Sequence, residues 1–551
     1  KSQYELKLDY SLVLDFALSL GKQKGAWYGV WQYFANAPHK YPKVIAYLDQ
    51  ATPKNLGVGM FRLPEESWPS VNAEKEVELE NALKKLIKKT PAKAYEELIE
   101  LSKEHKIRLQ WVWAELGKSP FAISLPYIFQ MAELSLKSYE NSSIDSLTRY
   151  YKDEGVSIDS ALRKLYISGS SKGYKEMVSN MTKLFYLPWI EKLTFRFQQL
   201  VKENPDQIIN FKLSKVVENA EFLLFVDAFR YDLAMDFCNH LSSNFKVDIS
   251  QSWSALPSLT ASSKPSVSPV ASQLSKNSSI NEFQPNFQSG NPCSPHYFRK
   301  ALKEQGVEFI QSPSEIKDSS LKYWMEIGDI DKKGHQEQSG MFKRIPELLA
   351  DLKEEVTQIA EKGVKKITIV TDHGWLLLPC GLPKEELHRD LAETRWGRCA
   401  QMREGAITKN LQLPWTWNPN EFIAYASGVS FFKKNEEYAH GGISIQECMT
   451  PLIQIETKDK ISTSKAFIED FKWVGMRLHV TTFGTTEKEF NIDIRSKREN
   501  ADSTIVIGSI KRNGLEWKVM ADSDFEGRAG YLVLLNSEGV IQDSKLMEIG
   551  R

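Results

Sequence analysis

Cysteine is scarce in this 551-residue chain. The five thiols, Cys238, Cys293, Cys380, Cys399 and Cys448, are odd in number and never fall in CxxC spacing. That argues against a disulfide framework or a thiolate zinc site and reads as reduced thiols in a cytoplasmic protein. Histidine is sparse too, at nine residues. An excess of either charge is missing: 71 Lys and Arg balance 71 Asp and Glu. Global charge therefore points to no polyanionic partner and leaves only a local basic groove open. No apolar run reaches the roughly 18 residues of a membrane span, so no membrane association is expected. The first residues, KSQYELKLDY, lack the apolar core of a secretory leader. No initiator Met precedes them, as expected of a fragment or a processed form.

What is present suits a soluble globular chain of two to four domains, with 42% apolar and 26% charged residues. Residues 1–205 read as mostly helical, a partner-docking region or a cap. VNAEKEVELENALKKLIKKT (71–90) spaces apolar residues at helical intervals between charges of both signs. Its cluster Lys84, Lys85, Lys88 and Lys89 reads either as a nucleic-acid patch or as a solvated helix face balanced by glutamates. The aromatics of GAWYGVWQYF (25–34) and LQWVWAEL pack a helical core or a partner surface.

From 206 to 460 the pattern becomes α/β. FLLFV, FKVDISQSW, GVEFIQ, YWMEIGDID and KKITIV read as strands separated by helical stretches, including a long amphipathic helix over 342–362. Strands alternating with helices predict a mainly parallel sheet covered on both faces. Ligands of such sheets bind beyond the carboxyl ends of the strands. Two long polar connections, 261–295 and 376–420, read as lids or binding loops. Residues 461–551 read as a small antiparallel β-domain, with turn residues in KRNGLE and NSEGVI.

Metal-capable side chains gather at the ends of these strands. Asp227 ends FLLFVD. Asp331 ends YWMEIGDID, with His335 four residues on. Asp372 and His373 end ITIVTDH, and His440 precedes two glycines in YAHGGISIQE. Each alone is an ordinary structural residue more often than a ligand; three of nine histidines falling at such places is the signal. Thr260, in SLTASSKPSV after the second strand, reads either as a helix N-cap or as a nucleophile at a helix start. Asp329 competes with Asp331, whose Asp-x-x-x-His spacing favours it. Asp232 reads as helical and structural.

In chain order, Asp227, Thr260, Asp331-x-x-x-His335, Asp372-His373 and His440 resemble the alkaline phosphatase superfamily. LLFVDAFRYDLA, LPSLTASSKPSVSPVA, IVTDHGW and HGGISIQE resemble more closely the PglZ family of bacterial BREX phage-defence systems. The resemblance spans roughly 220–460. It implies an alkaline-phosphatase-like α/β fold and two divalent metal ions. One would be held by Asp331, His335 and His440, the other by Asp227, Asp372 and His373 with the Thr260 oxygen. Imidazole and carboxylate ligands suit zinc, or manganese, better than magnesium or calcium. Thr260 would be the catalytic nucleophile, with Lys264 one helical turn on and reaching a phosphate, unless it faces solvent. Arg395 and Arg398 are weaker candidates for substrate contact. A sulfatase is disfavoured because the site reads TASSK where those enzymes carry a modified Cys or Ser in a C/S-x-P-x-R setting. The implied function is a metal-dependent phosphodiesterase or nuclease. It would act on DNA or a nucleotide phosphodiester beside other BREX proteins. The alternatives are an interaction component with little catalysis, and a small-molecule phosphatase or phosphomutase.

Overall fold

The structure is a computed structural model. It describes residues 12–57, 62–209, 217, 220–241, 245–433, 436–457, 466–484, 490–536 and 539–550, apart from the side chains of Arg389, Thr394 and Arg395. The chain divides into two compact units. One comprises Glu74–Leu241 with Phe245–Lys458, the other Lys1–Ala73 with Ser242–Asn244 and Asp459–Arg551.

The larger unit opens with helices, among them Pro91–His105, Pro120–Ser135, Val156–Ile167 and Leu187–Glu203. Pro91 and Pro120 stand at the first helical position, where a missing N–H costs nothing and φ is already helical. The helices bury their apolar stripe; Leu193, Phe197, Leu200 and Val201 lie on one face of Leu187–Glu203 and are all buried.

A six-stranded sheet follows. Its strands are β1 (Phe222–Val226), β2 (Phe245–Trp253), β3 (Val307–Ile310), β4 (Lys322–Ile327), β5 (Lys366–Val370) and β6 (Met449–Thr457), in the order β2-β6-β5-β1-β4-β3. β1, β3, β4 and β5 run parallel, and all five residues of β1 are buried, as a strand covered on both faces requires. β6 runs antiparallel to both β2 and β5.

The register decides where the site forms. Phe225 pairs with Val370, so two steps on, Asp227 and Asp372 leave the sheet side by side. Val226 pairs with Ile327, which brings the turn after β4 to the same edge. Met449 pairs with Trp253, so β6 enters the sheet at the edge where β2 leaves it. The segment holding His440 therefore arrives at the edge from which Thr260 departs.

Three elements differ from the sequence expectation. β6 was not expected, because Pro451 interrupts its apolar run. That proline pairs only with β2, beyond the reach of β5, which meets β6 from Ile453 onward. β4 stops at Ile327, and Asp331 lies in the helix Ile330–Glu337 rather than at a strand end. Gly328, at φ +141°, breaks the strand where its backbone passes close to Asp227. The connection 376–420 is no open loop. Ala392–Arg395, Cys399–Met402, Leu411–Trp415 and Asn418–Tyr425 form a four-stranded sheet in which every pairing is antiparallel.

In the smaller unit, Phe467–Val474, Arg477–Phe483, Glu516–Met520 and Lys511–Asn513 make one antiparallel sheet, and Phe490–Arg495, Ala529–Asn536 and Ile541–Glu548 make another. Trp517, Val480, Ile492, Ile494, Leu532 and Leu534 share one core between them. Among the described residues, no helix of either unit is long and apolar enough to cross a membrane.

Candidate active site

Asp372 and His373 end the strand KITIV and are completely buried. Such a carboxylate needs donors. Its Oδ1 accepts from the backbone N–H of Ala228 (3.1 Å) and of His373 (2.9 Å). Ala228 reaches that position in a left-handed conformation, φ +53°, one residue after Asp227. A non-glycine residue held there carries strain of about 1–3 kcal/mol, so the surrounding structure must enforce it. Gly374 is required by close approach: a Cβ on it would lie 2.0 Å from the Gln446 carbonyl oxygen.

The histidines are oriented through their backbone contacts. His373 Nδ1 lies 3.0 Å from the Gly374 carbonyl, and His440 Nδ1 lies 3.1 Å from the Ser258 carbonyl. A carbonyl only accepts, so each Nδ1 carries the proton and each Nε2 presents a lone pair. The two rings stack, with centroids 4.1 Å apart and planes 7° from parallel. His440 Nε2 lies 3.1 Å from His335 Nε2 and 3.3 Å from Asp331 Oδ1, which is 3.6 Å from His335 Nε2. Asp331 and His335 can meet there because they are four residues apart on one helix.

The predicted residues thus come together in two groups that share His373. Ligand-type atoms of Asp331, His373 and His440 lie within 4.8 Å of one another, as do those of Asp227, Asp372 and His373. His335 adjoins the first group. Thr260 Oγ1 lies 3.1 Å from His373 Nε2. Burial and the neighbouring Asp372 and Asp331 carboxylates push Asp227 up to about 9. Burial, with His373 beside it, pushes His440 down to about 4. Burial opposes ionisation of Asp331, yet His440, His373, His335 and the Tyr438 hydroxyl hold it below the usual carboxylate range.

Thr260 begins a helix as expected, but that helix is one turn, Thr260–Ser263, carried on by a 3₁₀ turn over Pro265–Val267. Pro265 cannot donate to an i−4 carbonyl, and a single turn adds little dipole. Thr260 is the first residue of the turn, not its cap, so its hydroxyl is left to face His373. The small residues around it are buried and internally bonded: Ser262 Oγ donates to Phe283 O (2.8 Å), and Ser263 Oγ donates to Ala255 O (2.9 Å).

Lys264 is half-buried and paired; its Nζ lies 2.7 Å from Glu326 Oε2. Asp329 is exposed and 3.8 Å from Lys332, away from the histidines. Asp232 is buried and bonded to Arg230, with Arg163 3.2 Å away. Arg398 is not a substrate contact. It is fully buried and doubly paired with Glu447 at 3.2 and 2.9 Å. The Arg395 side chain lies outside the described residues.

Sequence reasoning missed Tyr438, whose hydroxyl donates to Asp331 Oδ1 at 2.9 Å. Its signal was available: Tyr438 and His440 are two apart at an extended segment, which places both on one face. The carbonyls of Ser258 and Gly374 leave no such trace, because every residue has one.

An acid and histidine cluster thus lies at the carboxyl edge of a mainly parallel sheet, with the Thr260 hydroxyl facing it. Residues 208–455 match the PglZ family model, the alkaline phosphatase-like domain of BREX systems. The fold class is the one expected: an alkaline-phosphatase-like sheet flanked by helices, a helical N-terminal region and small sheets at the C-terminal end. Among solved structures, murine ectonucleotide pyrophosphatase/phosphodiesterase 5 (ENPP5, NPP5) is similar at 11% identity and a TM-score of 0.30, over 43% of this chain and 88% of that one. No curated protein matches the sequence.

Proposed function

We propose that this chain is a metal-dependent phosphodiesterase of a cytoplasmic BREX defence assembly, acting through Thr260 on a phosphodiester of DNA or of a nucleotide. The observation that carries the reading is the 3.1 Å approach of Thr260 Oγ1 to His373 Nε2, the residue shared by both acid and histidine groups.

The donor set fits divalent cations. Asp227 Oδ1 and Asp372 Oδ2 are buried without a hydrogen-bond partner among the described residues, an expensive state for polar atoms that a bound cation would relieve. Asp331, His335 and His440 would hold one ion; Asp227, Asp372 and His373, with the Thr260 hydroxyl, would hold the other. Zinc or manganese suits these nitrogen and oxygen donors. Such ions supply Lewis-acid stabilisation of phosphoryl charge and acidify hydroxyl groups at the site.

The chain's own part is positioning. Thr260 Oγ attacks phosphorus in line with the departing ester oxygen, giving a phosphothreonine and an alcohol. Water then cleaves the phosphothreonine, releasing the monoester and restoring Thr260. The Gly374 and Ser258 carbonyls keep both Nδ1 protons away from the reacting side. Tyr438 fixes the Asp331 carboxylate.

Purified protein supplied with zinc or manganese is expected to hydrolyse bis-p-nitrophenyl phosphate. Thr260→Ala should lower the rate by about 100-fold or more, and a chelator should abolish it. Wild-type protein that stays inert with either metal would sink the reading.

A further inference from the structure

Beside Thr260 opens a cavity of about 310 Å³ whose lining includes Lys264, Pro265, Phe298, Arg299 and Glu326. An ion pair in its lining is set up by the sheet. Trp324 and Glu326 are two apart on β4 and share a face. Trp324 Nε1 donates to Glu326 Oε1 at 2.9 Å, and Lys264 Nζ donates to Oε2 at 2.7 Å. Both carboxylate oxygens are engaged, so Glu326 is fixed. The Lys264 ammonium also lies over two rings, 5.1 Å from the Phe225 centroid and 5.7 Å from that of Phe298. Arg299, exposed at the rim, has its guanidinium 4.3 Å over Phe309.

This arrangement bears on the charge of the substrate. A phosphomonoester with a second pKa near 6 is mostly a dianion at neutral pH, whereas a diester is a monoanion. A free lysine one turn from Thr260 would attract the second charge. Here its charge is already answered by Glu326, and the walls at Pro265 and Phe298 are apolar. An ion-paired, partly apolar inner wall beside Thr260, with Arg299 held out at the exposed rim, suits the second ester substituent, not a second phosphate charge.

We propose that the Glu326–Lys264 ion pair sets the charge selectivity of this site, making it take phosphodiester monoanions in preference to phosphomonoester dianions. The proposal rests on the phosphodiesterase reading above. Glu326 is a specificity determinant acting through Lys264, and it need not touch the reacting atoms.

The test compares kcat/KM for p-nitrophenyl phosphate and bis-p-nitrophenyl phosphate in wild type, Glu326→Gln, and Glu326→Gln with Lys264→Met. Glutamine keeps the shape and still accepts from Trp324, but leaves Lys264 uncompensated. The monoester-to-diester ratio should rise about tenfold in Glu326→Gln, the size expected for one unscreened charge near the phosphate. It should return to the wild-type value when Lys264 is also removed. Calorimetric binding of phenylphosphonate, a dianion that is not turned over, should tighten by a similar factor. If Glu326→Gln does not fold, Glu326→Asp should move the ratio the same way by retracting the carboxylate. A ratio and an affinity that do not move would overturn the proposal while leaving the diesterase reading intact. A wild type inert on both esters would overturn that reading and the proposal with it.

Discussion

Asp227 follows directly on five buried residues of β1, and its neighbours are two more carboxylates, Asp372 and Asp331. Burial, reinforced by that crowding, is why its proton is held up to about 9. A carboxyl with a folded-state pKa above its unfolded value contributes stability that is complete below about 4. The contribution is lost as the pH rises through about 9. Metal-free protein is therefore expected to lose about 2–4 kcal/mol between about pH 5 and about pH 8 from this residue, and Asp227→Asn should flatten the loss. Urea midpoints at the two pH values measure it, and an equally steep Asp227→Asn variant would contradict it. Asp227, Asp372 and His373 were legible as residues because a charge at the end of an apolar strand stands out. Tyr438 was not singled out, since a tyrosine beside a short strand has many ordinary uses.

At the level of elements, a buried ion pair helps anchor the segment from His440 to Cys448 beside the site. Glu447 accepts twice from Arg398, and also from the Gly442 N–H and the Ser444 hydroxyl at 2.8 Å each. Gly441, at φ +98°, turns the chain between His440 and that anchor. Glu447→Gln leaves the Arg398 charge buried and unanswered, and should cost about 3–5 kcal/mol. Adding Arg398→Met should recover much of it, because the stranded charge is then gone. Denaturant unfolding of the three proteins tests this; a double variant no better than the single one would argue against a charge effect. Arg398 looked like a loop arginine, as exposed loop arginines do in sequence. Only the strand pairing of Cys399–Met402 with Asn418–Tyr425 carries it into the interior. Asp331 looked like a strand end for a related reason: the strand and helix meet at Gly328, and the apolar pattern runs across the join.

For the whole molecule, the proposed metal reading couples metal binding to the stability of the larger unit. Zinc or manganese at about a hundred times its Kd should stabilise that unit by about 2.7 kcal/mol, visible in calorimetry as a higher melting temperature. Chelation should reverse the shift, and Asp372→Asn should shrink it. A wild type whose melting ignores both metals would refute the metal reading. Several things were determined by the sequence alone. Periodicity set which stretches are strand and which helix in most of the chain, because burial on one or both faces writes its own pattern. The order of the acidic, histidine and threonine residues was equally plain. Tertiary structure decided the rest. The register of β1 against β5 brought Asp227 to Asp372, and β6 brought His440 to Thr260. Lys264 and Glu326, 62 positions apart in the chain, were brought into one ion pair. Such pairings depend on which strand lies beside which, a choice made by packing over long chain separations. A local pattern of apolar and polar residues carries no record of it.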